Sequence, residues 1–101
     1  MKEFKGRTAV VTGGASGIGL GMCKAFANRG MNVVVADLND EQINAAVKTL
    51  QDLGVEAIGQ HCDVANLEEV QALADKTIET FGGVHVMCNN AGVAFPRRQP
   101  I

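Results

Sequence analysis

The segment Thr12-Gly13-Gly14-Ala15-Ser16-Gly17-Ile18-Gly19 places glycines between a β-branched run and a helical stretch. A strand that enters a helix through glycines leaves backbone N–H groups at the helix N-terminus without partners, and such groups hold anions. In this spacing Gly13 permits the tight turn, Gly17 withholds a side chain where a pyrophosphate approaches, and Gly19 lets the helix pack close to the sheet. The pattern G-x-x-x-G-x-G differs by one residue from the commoner dinucleotide fingerprint, and no Gly-Lys-Ser/Thr follows, which excludes a P-loop. Glycines alone are weak evidence, since a glycine-rich stretch is often only a loop. With a strand before them and a helix after them, they read as a nucleotide site.

Asp37 closes the second apolar run, 24 residues after Gly13. There an acidic side chain accepts hydrogen bonds from the 2′- and 3′-hydroxyls of an adenosine ribose. A 2′-phosphate would meet a carboxylate instead, and two unit charges ~4 Å apart at an effective dielectric of ~20 repel by about 4 kcal/mol. Screening and movement reduce this to about one or two factors of ten in affinity. Ser16, before Gly17, supplies no compensating cation, so NAD(H) is expected over NADP(H). The competing reading of Asp37 is a solvated strand end. Leu38 is assigned to the same site. Asp63 either pins the adenine edge, with Val64 beside it, or simply opens the next helix. His61 and His85 have no Cys, Asp or Glu at metal-ligand spacing and read as satisfied strand residues, so no metal is expected.

The elements that must position these residues alternate regularly. Thr8–Thr12 and Asn32–Asp37 are apolar, β-branched runs that read as buried parallel strands. Val55–Cys62 is a weaker third strand, and Val84–Cys88 a fourth that stops at Asn89-Asn90-Ala91-Gly92. The helix between the first two strands runs to Asn28, with Ile18, Met22, Ala25 and Phe26 as its apolar face, and Gly30 closes it. Asn39 with Gln42, and Asn66 with Glu69, read as capping boxes. Ile43, Ala46, Val47, Leu50 and Leu53 form the stripe of the second helix, and Gly54 stops it. Val70, Leu73, Ala74, Thr77, Ile78 and Phe81 form the stripe of the third, which ends at Gly82-Gly83. The order βαβαβαβ predicts an α/β, Rossmann-like parallel sheet with strand order 3-2-1-4, an incomplete doubly wound fold. Right-handed crossovers put two helices on one face and the third on the other. The switch point between strands 1 and 4 is where such sheets bind ligands, and the glycine turn and the Asn-Asn-Ala-Gly turn both fall there.

Composition narrows the class. The chain has 101 residues, 47% of them hydrophobic, and a formal charge of −2, with no basic footprint for nucleic acid or an anionic membrane. No apolar run reaches the ~20 residues of a membrane span, and the N-terminus lacks the core of a signal peptide. Cys23, Cys62 and Cys88 are odd in number and far apart, which predicts small buried thiols in a reducing cytoplasm. Both prolines, Pro96 and Pro100, fall among the last six residues. Residues 1–95 therefore read as packed domain and 96–101 as a loop or aberrant tail.

Thr12–Gly19 resembles the TGxxxGIG motif of the short-chain dehydrogenase/reductase family. Asp37, Asp63-Val64 and Asn89-Asn90-Ala91-Gly92 follow in the family's order and spacing, so the resemblance covers residues 7 to 92. It implies the cofactor-binding half of an NAD(P)-dependent oxidoreductase acting on an alcohol, ketone or sugar-like substrate, usually as a dimer or tetramer. It further implies that Ile18 lies near the cofactor phosphates or nicotinamide, and that Asn90, Ala91 and Gly92 back the cofactor ribose while bracing the central strands. The family's chemistry rests on a serine, a tyrosine, a lysine four positions after it and a helical asparagine, all beyond this turn. The chain contains no tyrosine, and its one serine is Ser16. No catalytic role is therefore assigned to any residue, and the chain alone is expected to be inactive. The alternative is a truncated, non-catalytic module that binds NAD(H) or pairs with a longer homologue. A methyltransferase on the same fold is disfavoured by the glycine spacing and the Asn-Asn-Ala-Gly turn. The fourth strand, apolar and at the sheet edge, predicts marginal stability or aggregation of the isolated chain.

Overall fold

All five residues of β1 (Thr8–Thr12) are buried in the computed structural model, which describes residues 4–90. β2 (Asn32–Asp37) buries Val33, Val34, Val35 and Ala36 completely. Strands covered on both faces cannot alternate apolar with polar, which is why both read as continuous hydrophobic runs. β3 (Ala57–His61) pairs with β2, and β4 (Val86–Asn89) with β1, all in parallel. The order is β3-β2-β1-β4, the Rossmann-like arrangement the alternation predicts.

Side chains alternate across this sheet with the period of two that a pleated strand imposes. Val11, Val33, Val35 and Ala57 face α1 (Gly17–Asn28) and α2 (Asp40–Asp52), where Cys23, Ala27, Ile43, Ala46 and Leu50 meet them. Val10, Val34 and Ala36 face the opposite side, where α3 (Leu67–Phe81) contributes Leu73. Two helices on one face and one on the other is the division that right-handed crossovers produce. No described helix is long and apolar enough to cross a membrane.

The helix signals held at the caps. Asn39 Oδ1 accepts the Gln42 N–H at 2.9 Å, and Asn66 Oδ1 accepts the Glu69 N–H at 3.1 Å. Glu69 does not return the bond to Asn66; its Oε1 accepts the Asp63 N–H at 2.9 Å instead. Gly54 and Gly82 take left-handed φ values of +96° and +86° after their helices. The stripe of α1 lies elsewhere than its large apolar residues suggest. Gly19, Cys23 and Ala27 are its buried positions, while Met22 and Phe26 are half-buried and Ile18 and Ala25 are exposed. Small side chains every four residues bring the helix axis close to the sheet, and the larger ones flank the contact. Leu53 and Ile78 are likewise exposed, Leu53 because it caps α2 rather than continuing it.

β4 starts two residues later than its apolar run. His85 stands in its place: its Nδ1 accepts the buried Thr8 N–H at 3.0 Å, and its own N–H donates to the Thr8 carbonyl at 2.9 Å. A ring nitrogen thus does the work of a ladder carbonyl, with the imidazole proton on Nε2. β3 is likewise shorter than its apolar run.

Gly59 on β3 sits directly under α2. A Cβ there would overlap Ile43 Cγ2 and approach Val47 Cγ2 to 3.2 Å. Gly59→Ala is expected to cost about 1–3 kcal/mol through overpacking. It should appear as a lower denaturant midpoint at unchanged m value. An unchanged midpoint would mean that α2 moves aside freely.

Candidate functional site

The C-terminal ends of β1, β2 and β3 converge on one edge of the sheet, with β4 beside β1. The turn leaving β1 is built from two left-handed glycines, Gly13 at φ +66° and Gly17 at φ +56°. It is tied to β2 by two successive N–H groups. Gly14 donates to the Ala36 carbonyl at 3.2 Å, and Ala15 to Asp37 Oδ2 at 3.0 Å. Ser16 is extended, precedes α1, and makes no side-chain capping bond. The first main-chain bond of α1 runs from the Leu20 N–H to the Ser16 carbonyl at 3.2 Å. The N–H groups of Gly17, Ile18 and Gly19 come before it and lie where a helix presents donors. α2 carries Asp40 and Glu41 in its first turn and α3 carries Glu68 and Glu69, whereas α1 has no acid there. The positive end of α1 is therefore not neutralised from within, as an anion site requires.

Two groups crowd the Gly13 carbonyl. Asn90 Nδ2 donates to it at 3.1 Å, and a Cβ on Gly19 would overlap it and come within 2.8 Å of Asn90 Nδ2. Asn90 thus reaches across from the end of β4 to hold the glycine turn. Thr12 Oγ1 adds a second tie by donating to Asn89 Oδ1 at 2.9 Å. Gly14, to which the sequence reading gave no role, has one: a Cβ there would lie 2.8 Å from the Val11 carbonyl oxygen and 3.1 Å from Cys23 Sγ. Ala91 and Gly92 lie outside the described residues.

A cavity of about 170 Å³ opens beside this turn, lined by Gly13, Asp37, Leu38, Cys62, Asp63, Val64 and Ala65. It brings together Asp37, Leu38, Asp63 and Val64, which the sequence places up to 27 residues apart. Ser16, Gly17, Ile18 and Gly19 form the adjoining turn rather than its walls. Asp37 is half-buried, its Oδ1 accepting the Leu38 N–H at 2.7 Å. Asp63 faces solvent, and its Oδ1 accepts the Ala65 N–H at 2.9 Å, so it shapes the start of the α3 segment as well as lining the cavity. A second cavity, of about 240 Å³, follows on the α3 side between Thr12, Val64, Leu67, Val70, Leu73, Met87 and Asn89.

Cys62, in the first cavity wall, is raised above the ordinary thiol range by burial first and then by the carboxylates of Glu69 and Asp63. Burial, with Cys88 nearby, pushes the Cys23 thiol up to about 12. Both stay protonated at neutral pH and are poor nucleophiles. Cys88 is only half-buried, against the expectation of three buried thiols. His61 Nδ1 lies 3.1 Å from Asp40 Oδ1 on the surface. Among the described residues, no three His, Cys, Asp or Glu side chains gather as metal ligands.

The parts fit a nucleotide. Unpaired N–H donors at a positive helix end suit phosphate, a carboxylate at the end of β2 suits hydroxyl donors, and a slot with Leu38 and Val64 suits a flat base. A parallel sheet of this order, with a glycine turn at its switch point, defines a Rossmann-like α/β protein. The short chain dehydrogenase family model matches residues 7–101, and the chain belongs to that family. It is 39% identical over 95 residues to the 7alpha-hydroxysteroid dehydrogenase of Escherichia coli (strain K12), covering 94% of this chain and 37% of that protein. Its structure is similar to that of a short chain dehydrogenase/reductase from Burkholderia phymatum in complex with NAD, with a TM-score of 0.82 and 44% identity over 86% of this chain and 31% of the other. It is also similar to L-sorbose reductase from Gluconobacter frateurii complexed with NADPH, with a TM-score of 0.81 and 31% identity over 85% of this chain and 33% of the other. The chain thus spans about a third of the length of the relatives it matches.

Proposed function

We propose that this chain is the NAD(H)-holding part of an oxidoreductase that moves hydride between a nicotinamide cofactor and an alcohol or carbonyl substrate. The observation that carries the reading is the Asp37 carboxylate, set at the end of β2 in the same cavity as Gly13. The N–H groups of Gly17, Ile18 and Gly19 and the Ser16 hydroxyl would meet the pyrophosphate. Asp37 would accept from the adenosine ribose, with Leu38, Asp63 and Val64 around the adenine. Ile18, Asn90, Ala91 and Gly92 would stand toward the ribose and nicotinamide side. The cofactor, when bound, supplies the hydride acceptor or donor; the residues of this chain bind it, orient it and hold the turn in shape.

Each of these residues is given a role toward the cofactor and none toward a proton on the substrate, and no tyrosine is present among the 101. The share proposed for this chain in the reaction is cofactor binding. A cytoplasmic location and a homodimeric or homotetrameric full-length enzyme complete the proposal, the first resting on the free thiols Cys23, Cys62 and Cys88. The structural relatives include one with NAD and one with NADPH, so the preference for NAD(H) rests on Asp37 and on Ser16 in place of a cation.

Fluorescence titration tests the reading. NADH should bind at least tenfold more tightly than NADPH, and S-adenosylmethionine should not compete. Absence of NADH binding to folded protein would end the proposal, and equal affinities would remove its cofactor preference.

A further inference from the structure

We infer that Asp37 is a positioning residue for the glycine turn, and that its carboxylate organises the phosphate end of the site as well as the ribose end. The inference rests on the dinucleotide site proposed above and adds a second task to one of its residues. Asp37 is the point at which three segments are joined. Its Oδ2 accepts the Ala15 N–H at 3.0 Å, its backbone carbonyl accepts the Cys62 N–H at 2.8 Å, and its Oδ1 accepts the Leu38 N–H at 2.7 Å. The glycine turn, the end of β2 and the loop after β3 therefore share one residue.

The turn needs such an anchor. Ser16 does not cap α1, and Gly13 and Gly17 both sit at positive φ, where glycine gives up the most conformational freedom on folding. Ala15 is only 5% exposed, so its N–H has little access to water if the carboxylate is removed. A hydrogen bond to a charged acceptor is among the stronger ones a backbone amide makes. It also fixes which donors remain for a ligand: Gly14 and Ala15 are turned toward β2, leaving those from Ser16 onward. Each carboxylate oxygen has a second lone-pair direction, so holding Ala15 does not prevent Asp37 from accepting a ribose hydroxyl.

The two tasks are separated by a dinucleotide analogue lacking the 2′- and 3′-hydroxyls of the adenosine ribose. If Asp37 served the ribose alone, Asp37→Ser and the parent protein would bind this analogue equally. The expected result is a loss of about tenfold or more in Asp37→Ser, the effect of removing one charge-assisted hydrogen bond from the turn. Affinities within twofold overturn the inference. Amide exchange of the unliganded protein gives an independent reading. Ala15 should exchange about tenfold or more faster in Asp37→Ser, with Asp37→Asn, which keeps one acceptor oxygen, in between. Unchanged Ala15 exchange in both variants also overturns it. Should the parent protein bind neither NADH nor the analogue, the dinucleotide reading fails, and the exchange rates still decide whether Asp37 holds the turn.

Discussion

Gly19→Val is expected to remove measurable nucleotide binding and to destabilise the fold by about 1–3 kcal/mol or more, as overpacking against an unyielding neighbour does. The neighbour in this case is backbone: the first atom of any side chain at Gly19 would overlap the Gly13 carbonyl group. A flexible side chain could swing aside, but a carbonyl within a tight turn cannot move without carrying the turn with it. Asn90 Nδ2 donates to that oxygen at 3.1 Å and would lie only 2.8 Å from the added Cβ, so its hydrogen bond, worth about 1 kcal/mol in a typical case, would go as well. Either α1 withdraws from the sheet or the turn refolds, and both displace the N–H groups of Gly17–Gly19. Gly21→Ala is the matched control. It lies exposed in the same helix with nothing within 4 Å of an added Cβ, and it should gain about 0.5–1 kcal/mol from helix propensity while binding normally. A thermal melt and an NADH titration on both variants make the comparison. Parent-like affinity in Gly19→Val would show that the turn is not the site.

The second large effect concerns the choice of cofactor. In Asp37→Ser the ratio of the NADPH to the NADH dissociation constant should fall by about ten- to a hundredfold. The limiting figure is the ~4 kcal/mol of repulsion between a carboxylate and a 2′-phosphate ~4 Å apart at an effective dielectric of ~20. Asp37 is half-buried rather than enclosed, so solvent screening takes a share of that. Absolute affinities are the wrong readout, because loss of the Ala15 hydrogen bond should weaken both cofactors together. The ratio cancels that common loss and isolates the ribose end. Raising the salt concentration should narrow the parent protein's preference in the same direction. An unchanged ratio in Asp37→Ser would remove the electrostatic argument for NAD(H).

Much of the fold was legible because its signals are local. β1 and β2 announce themselves as continuous apolar runs since both faces of the sheet are covered, and Asn39, Asn66, Gly54 and Gly82 mark helix ends through bonds and φ values confined to a few residues. The buried stripe of α1 was not legible. Gly19, Cys23 and Ala27 carry little hydrophobic signal, whereas Met22 and Phe26 carry much, and only the closeness of the helix to β1 and β2 decides which set goes inside. His85 looked like an ordinary strand residue; its pairing with the Thr8 N–H depends on a strand 77 positions away.

At the candidate site the division has the same cause. The sequence alone determined the residue types: glycines where a chain must turn, an acid at the end of a strand, and the strand order that brings them to one switch point. These follow from backbone sterics, capping and crossover handedness, which act over short stretches or on topology as a whole. Tertiary structure decided how the parts are joined: that Ala15 spends its N–H on Asp37, that Asn90 and Gly19 share the Gly13 carbonyl, and that Gly59 lies beneath Ile43. Such contacts bind positions far apart in the chain at separations of a few ångströms, and no local pattern encodes a distance.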